Sequence, residues 1–254
     1  MKKSILHFVA SLLLFVSINS KTFAQWQNVG TAGFSASGAD HISLAFNNTG
    51  EPYVVYRDGA SFYKATVMKF NGASWVTVGT PGFSAGGASN NSLVFNSSGE
   101  PFVAYSDGGN SLKATVMKFN GTSWVTVGTS GFSAGSANFI SLALNSSGEP
   151  YVAYTDGANS SKATVMKFNG TSWVTVGTPG FSAGAAGTTR IALNNSGEPF
   201  VVYADAVNSS KATVMKFNGT SWITVGSAGF SAGMADDTHL ALNSSGEPYV
   251  LYTD

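Results

Sequence analysis

The 254-residue chain carries thirteen basic and thirteen acidic residues and no cysteine. This balance excludes the basic face that a nucleic-acid partner requires, and the lack of cysteine excludes a disulfide-stapled fold, so stability must rest on a buried core. Glycine is abundant (30 residues) and charged residues are scarce (10%), a composition suited to many short strands joined by tight turns.

At the N-terminus, Lys2 and Lys3 precede a mostly apolar run over residues 5–18, and the stretch 21–24 ends in the small residue Ala24. This pattern predicts a secretory signal peptide over 1–24, cleaved after Ala24. The run is shorter than the roughly 20 residues a spanning helix needs. Removing Lys2, Lys3 and Lys21 leaves ten basic and thirteen acidic residues, a net charge of −3, which disfavours anionic lipid as well as nucleic acid. No transmembrane segment is expected in the mature chain. Its expected location is outside the inner membrane: extracellular, cell surface or periplasm.

From residue 25 onward the chain repeats. Trp26, Trp75, Trp124, Trp173 and Trp222 are the only tryptophans, each 49 residues after the last. A fixed period of that length marks a repeat architecture. The units are 26–74, 75–123, 124–172, 173–221 and an incomplete 222–254. Within 75–123, four strand-like runs are predicted: 75–78, 92–96, 101–105 and 113–119. They are rich in Val, Phe, Tyr and Thr, and the turns between them are Asn-Ser-Ser-Gly-Glu and Phe-Asn-Gly-Thr-Ser. No segment has a helical period.

The predicted fold is therefore all-β, a β-propeller of four-stranded antiparallel blades, with 92–96 innermost and the tryptophan run outermost. A β-helix is the other repeat architecture considered, but its coils are usually much shorter. The opening run, 26–29, is expected to be an outermost strand. The last unit has 33 residues of 49, and the 16 missing ones would supply a Lys-Ala-Thr-Val-Met-Lys-Phe strand. The expectation is a chain that continues in the full protein, through further blades or a sorting module.

Comparing the units separates constant from variable positions. Five Glu-Pro pairs recur (Glu51, Glu100, Glu149, Glu198, Glu247), and an Asp closes each third run (Asp58, Asp107, Asp156, Asp205, Asp254). These are expected to be turn caps or repeated ion pairs, because near-identical blades multiply one environment and catalysis needs unlike ones. Variation collects in two loops that should emerge on one face. One precedes the inner strand and contains Asp40, His41, Asn90, Asn91, Asn138, Phe139, Thr188, Arg190, Asp236, Asp237 and His239. The other joins the 101–105 type of strand to the 113–119 type and contains Arg57. Eighteen of the 23 charged residues after residue 24 are repeat-invariant, and the other five all fall in these loops. Exposed loops on a rigid scaffold are where binding groups usually sit, so these twelve residues are the candidate ligand-binding set. If five blades closed, Asp40, His41, Asp236, Asp237 and His239 would cluster at the channel mouth. Their spacing matches no metal motif, and neither metal nor cofactor is expected.

The pattern W-x-x-V-G, then G-F, then L-x-F-N-S-S-G-E-P-Y-V-A-Y resembles repeats of the tachylectin-type five-bladed propeller lectins over about 30 residues of each unit. Two features depart from that family. Phe34, Phe83, Phe132, Phe181 and Phe230 stand where it tends to have a second tryptophan, and the Lys-Ala-Thr-Val-Met-Lys-Phe run has no counterpart. The resemblance implies binding of N-acetylated sugars in loops between blades. The units also look like propeller repeats of bacterial surface proteins.

Three functions compete. The expected one is an exported, non-catalytic binding module, multivalent for glycans through the variable face. Against an enzyme, there is no Gly-x-Ser-x-Gly elbow, no H-E-x-x-H and no cysteine nucleophile, and two arginines are too few for a sialidase-like site. Paired carboxylates for glycoside hydrolysis stay open. The alternative is a structural or protein-binding scaffold, a segment of a larger surface protein.

Overall fold

The computed structural model describes residues 26–253, in which every repeat forms an antiparallel sheet. The expected leader, 1–24, and the recurring Asp254 lie outside the described residues. Blade 1 is β1 (Ala39–Phe46), β2 (Pro52–Asp58), β3 (Lys64–Phe70) and β4 (Trp75–Thr77), hydrogen-bonded in that order. Blade 2 is β5 (Ala88–Phe95), β6 (Pro101–Asp107), β7 (Lys113–Phe119) and β8 (Trp124–Thr126). Blade 3 is β9 (Ala137–Leu144), β10 (Pro150–Asp156), β11 (Lys162–Phe168) and β12 (Trp173–Thr175). Blade 4 is β13 (Ala186–Leu193), β14 (Pro199–Asp205), β15 (Lys211–Phe217) and β16 (Trp222–Thr224). Blade 5 is the two-stranded sheet of β17 (Asp236–Leu242) and β18 (Pro248–Thr253). The inner strands β1, β5, β9, β13 and β17 follow one another around the axis. The protein is a β-propeller.

Two strand assignments change. Residues 26–29 are not a strand, and Trp26 is fully exposed. A tryptophan run becomes a strand only beside a Lys-Ala-Thr-Val-Met-Lys-Phe strand, as Trp124 does opposite Phe119, and 26–29 has none beside it. The inner strands also begin earlier than expected. β5 starts at Ala88 rather than Ser92, and its register against β6 shifts between Ser89 and Ser92. The polar, variable residues at that point conceal a β-bulge, which adds one unpaired residue and bends the strand.

The core lies between blades. Tyr53, Val55, Ala65 and Val67 on one side of blade 1 pack against Leu93, Val103, Tyr105 and Trp124 on the facing side of blade 2. The same pairing recurs between blades 2 and 3, 3 and 4, and 4 and 5. Trp75, Trp124, Trp173 and Trp222 each clasp the connector before their own blade. Trp124 Nε1 donates to Val78 O at 2.8 Å, and Phe83 stacks on its ring with centroids 4.3 Å apart. Gly79 makes this approach possible: at φ +73°, a Cβ there would lie 2.9 Å from Phe119 and 3.0 Å from Trp124. Phe34, Phe83, Phe132 and Phe181 are thus stacking partners of Trp75, Trp124, Trp173 and Trp222, whereas Phe230 meets Tyr252 edge-on at 6.1 Å.

The recurring carboxylates are caps. Asp107 is buried; its Oδ1 accepts from Gly109 N–H at 2.9 Å, and its Oδ2 accepts from Asn110 Nδ2 at 2.8 Å and Thr115 Oγ1 at 2.9 Å. It thereby closes a short 3-10 turn between the second and third strands. Asp58, Asp156 and Asp205 do the same. Glu100 accepts from Asn96 Nδ2 at 2.7 Å and pairs with Lys118 at 3.8 Å. These groups spend their acceptor capacity on the fold.

Candidate functional site

The two variable loops do emerge at one end of the blades, on either side of the bulge. The bulge puts one residue of every blade at positive φ: His41 (47°), Asn90 (53°), Phe139 (48°), Thr188 (43°) and Asp237 (47°). Such a conformation is uncommon for any side chain and a true outlier for the β-branched Thr188. Strain held at five equivalent positions, in five different residues, marks them as a candidate site.

Four blades combine there. A cavity of about 490 Å³ is lined by Asn90 from blade 2, Asn138, Phe139 and Thr155 from blade 3, Thr188 from blade 4 and Asp236 from blade 5. Phe139 offers an exposed ring. Asn90 Nδ2 donates to Ser106 Oγ at 3.2 Å, and Ser106 in turn donates to Ala137 O. Thr155 Oγ1 donates to Ala186 O and lies 3.3 Å from Thr189 Oγ1. The lining thus offers an aromatic face, two primary amides, hydroxyls and one carboxylate, with its polar floor already fixed by hydrogen bonds.

The remaining predicted residues fall elsewhere. Asn91 is not on the surface. The residue after the bulge turns inward between blades, where Ile140 and Thr189 also lie buried. Its Nδ2 donates to His41 O at 3.0 Å, and its buried Oδ1 has no partner. His41 does not line the cavity; its Nδ1 accepts from the backbone N–H of Asn90, which does, at 3.2 Å. Arg57 is engaged at the edge of blade 1, where its Nε donates to Asp40 at 2.6 Å and its guanidinium lies 5.3 Å from the Tyr63 ring centre. The hydrogen bonds from Arg57 hold the Asp40 carboxyl below its usual range. Arg190 Nη1 donates to Thr189 O at 3.0 Å; burial pushes its guanidinium down from the usual value, and the nearby Asp237 carboxylate opposes the shift. His239 is exposed on β17.

The cluster of Asp40, His41, Asp236, Asp237 and His239 that closure of five blades would bring about does not form. Among the described residues no three His, Asp or Glu side chains converge as a metal site. The physical reason is that blades 1 and 5 leave their outer sides to solvent and do not close on each other. The cavity at this end is composite: three of the bulge residues, Asn90, Phe139 and Thr188, line it, each from a different blade.

Repetition belongs to the other end. Three equivalent grooves of about 310, 410 and 270 Å³ lie between successive blades. The 410 Å³ groove is walled by Phe102, Lys118 and Phe168 and by the 147–150 turn. Its Lys118 ammonium sits 5.9 Å from the Phe102 ring centre. In sequence these residues look like ordinary turn and strand residues.

Sequence reasoning also missed Thr155, Ser161 and Ser210, which line the variable-end cavity. The signal was present. The column of residues 57, 106, 155, 204 and 253 reads Arg, Ser, Thr, Ala, Thr, and the column of 63, 112, 161 and 210 reads Tyr, Leu, Ser, Ser.

No protein-family model matches the chain, and no curated protein matches it in sequence. Among solved structures it is similar to a protein of unknown function from Dyadobacter fermentans DSM 18053, at 15% identity and a TM-score of 0.57, covering 84% of this chain and 74% of that one. It is also similar to a polysaccharide lyase, an ulvan lyase, at 12% identity and a TM-score of 0.50, covering 78% of this chain and 60% of the lyase. A fucose lectin from Kordia zhangzhouensis matches at 13% identity and a TM-score of 0.37, over 54% of this chain and 99% of the lectin. At these identities the likeness is one of fold. Among the described residues, no helix is long and apolar enough to cross a membrane.

Proposed function

We propose that the protein is an exported, non-catalytic carbohydrate-binding module that holds a glycan in the cavity at the variable end. The observation that carries this reading is the convergence of Asn90, Asn138, Phe139, Thr188 and Asp236 from four blades on one cavity of about 490 Å³. A sugar presents apolar C–H faces and paired hydroxyls. An exposed aromatic ring suits the first, and primary amides with a carboxylate suit the second. The lining carries a single carboxylate, Asp236, which favours holding a glycan over cleaving it by a carboxylate pair. The fold itself is compatible with carbohydrate ligands, since it also serves a polysaccharide lyase.

A glycan-array screen of the purified, folded chain tests the reading. The expected result is saturable binding to a narrow set of glycans, weakened roughly tenfold by Phe139→Ala, which is about 1.4 kcal/mol. The melting temperature should not change. No binding by the folded chain, or binding indifferent to Phe139, would move the assignment to a protein-binding scaffold.

A further inference from the structure

We infer that the variable-end cavity holds one part of a longer glycan chain, and that the chain runs on across blade 2 to rest on the ring of Tyr63. This builds on the reading of the cavity as a glycan site. The cavity lining includes Ser161 and Ser210. Their backbone carbonyls accept from Ala186 and Ala235 N–H at 2.9 Å, which ties each serine to the next blade. Tyr63 and Leu112 hold the same position in blades 1 and 2, and their carbonyls accept from Ala88 and Ala137 N–H at 2.9 Å. Tyr63, Leu112, Ser161 and Ser210 thus form one row along the variable end. The two serines line the cavity; the other two positions carry exposed apolar side chains, Leu112 at 48% and Tyr63 at 60%. The row also reaches the cavity from its far end, because Ala88, bonded to Tyr63, stands two residues from the cavity residue Asn90, a span of at most about 7 Å.

Tyr63 is presented as a platform. Positions 62 and 63 read Phe-Tyr, whereas the equivalent pairs read Ser-Leu, Ser-Ser and Ser-Ser. All eight residues take positive φ, from 54° to 61°, so the turn itself needs no aromatic ring. Arg57, which stands where the other units have Ser, Thr, Ala and Thr, places its guanidinium over one face of the Tyr63 ring, 5.3 Å from its centre. Asp40 fixes that guanidinium by accepting from both Nε and Nη2. One face of the ring is thereby covered and the other is left to solvent. An open, held aromatic face suits the apolar C–H face of a pyranose, and a ring already set in place loses little freedom on binding. The junction that carries it lies between two blades of four strands each. A single terminal sugar would fill the cavity alone; a row that continues over Leu112 to Tyr63 suits a chain of several sugars.

Calorimetric titration of the full chain with neutral gluco-, xylo-, manno-, galacto- and fuco-oligosaccharides, each graded from disaccharide to octasaccharide, tests this. In a series that binds, affinity should rise about tenfold from the short members to the long ones and then level off, as one chain engages a second contact. Tyr63→Ser installs the residue that Ser161 and Ser210 already carry in the same backbone conformation, so this variant should melt as the parent does. It should erase the rise with length and leave the short members bound as before. Tyr63→Phe should keep the rise, and Phe139→Ala should weaken every length alike. Affinity that does not depend on length, or a rise that survives Tyr63→Ser, would overturn the inference and leave the reading of the cavity standing. No binding of any member by the folded parent would overturn both.

Discussion

The two ends of the blades both reverse the chain, and they do it with opposite chemistry. At the constant end, Asn96 Oδ1 accepts from the backbone N–H of Ser98 and Glu100, and the turn's positive φ falls on Gly99 at 79°. The same division of labour recurs at Asn120 and Gly121. At the variable end the positive-φ positions of the bulge and the 3-10 turn are filled by residues with side chains. All thirteen non-glycine residues with positive φ among the described residues lie there, from His41 to Asp237. Glycine takes that conformation freely, whereas other residues are strained by it, so one end is relaxed and the other holds strain that the scaffold supports. Relaxed geometry goes with invariant sequence, and strained geometry goes with a cavity.

The largest test of that support is alkaline. Tyr56, Tyr105, Tyr154 and Tyr203 lie beneath the variable end, their hydroxyls within 3.2–3.4 Å of a methionine Sδ. Burial raises all four above the usual phenol value, with the neighbouring Asp adding to it, and Tyr56 is pushed up to about 12. A group whose folded value is raised holds its proton better when folded. Stability should therefore be level below about pH 10, the unfolded value, and fall as pH rises towards 12. Chemical denaturation at pH 8, 10 and 11 would show it; an unchanged midpoint at pH 11 would mean that these phenols are not held as described.

Next is the support itself. Asp107→Ala strands the N–H of Gly109 and the Thr115 hydroxyl beneath the 3-10 turn, and should cost about 2–4 kcal/mol. A urea midpoint within error of the parent would contradict the capping role. A smaller effect, of opposite sign, is expected at the strain. Thr188→Gly should stabilise the fold by about 1 kcal/mol and weaken any glycan bound in the cavity. Destabilisation would mean that Thr188 is not strained. The smallest effect belongs to Arg57→Ala, which breaks an exposed ion pair with Asp40 and should change stability by less than about 1 kcal/mol. A drop of several kcal/mol would show that the variable end carries structural weight as well.

How much of this was legible beforehand depended on what repeats. The tryptophan period fixed the blade, and the strand β7 was read at its observed bounds because valine and threonine alternate between glycine-rich turns. The caps were legible because Asp107 and its equivalents never vary. The inner-strand bulge was hidden. A bulge is set by backbone geometry at Asn90 or Thr188, and neither residue announces positive φ in a polar stretch. That one shift explains both errors nearby. It lengthened β5 by four residues towards the N-terminus, and it turned Asn91 inward while Asn90 stayed at the cavity. Three-dimensional adjacency was the other blind spot, since Thr155 reaches the cavity from a strand that reads as core.

The bulge also divides two tasks that usually compete. The side chains at 41, 90, 139, 188 and 237 belong to no blade-to-blade apolar cluster, so their identity can change without repacking an interface. A library randomised at these five positions alone would diversify the variable end and leave the blade-to-blade apolar clusters untouched. The propeller would then serve as a ready-made scaffold for selecting new binders.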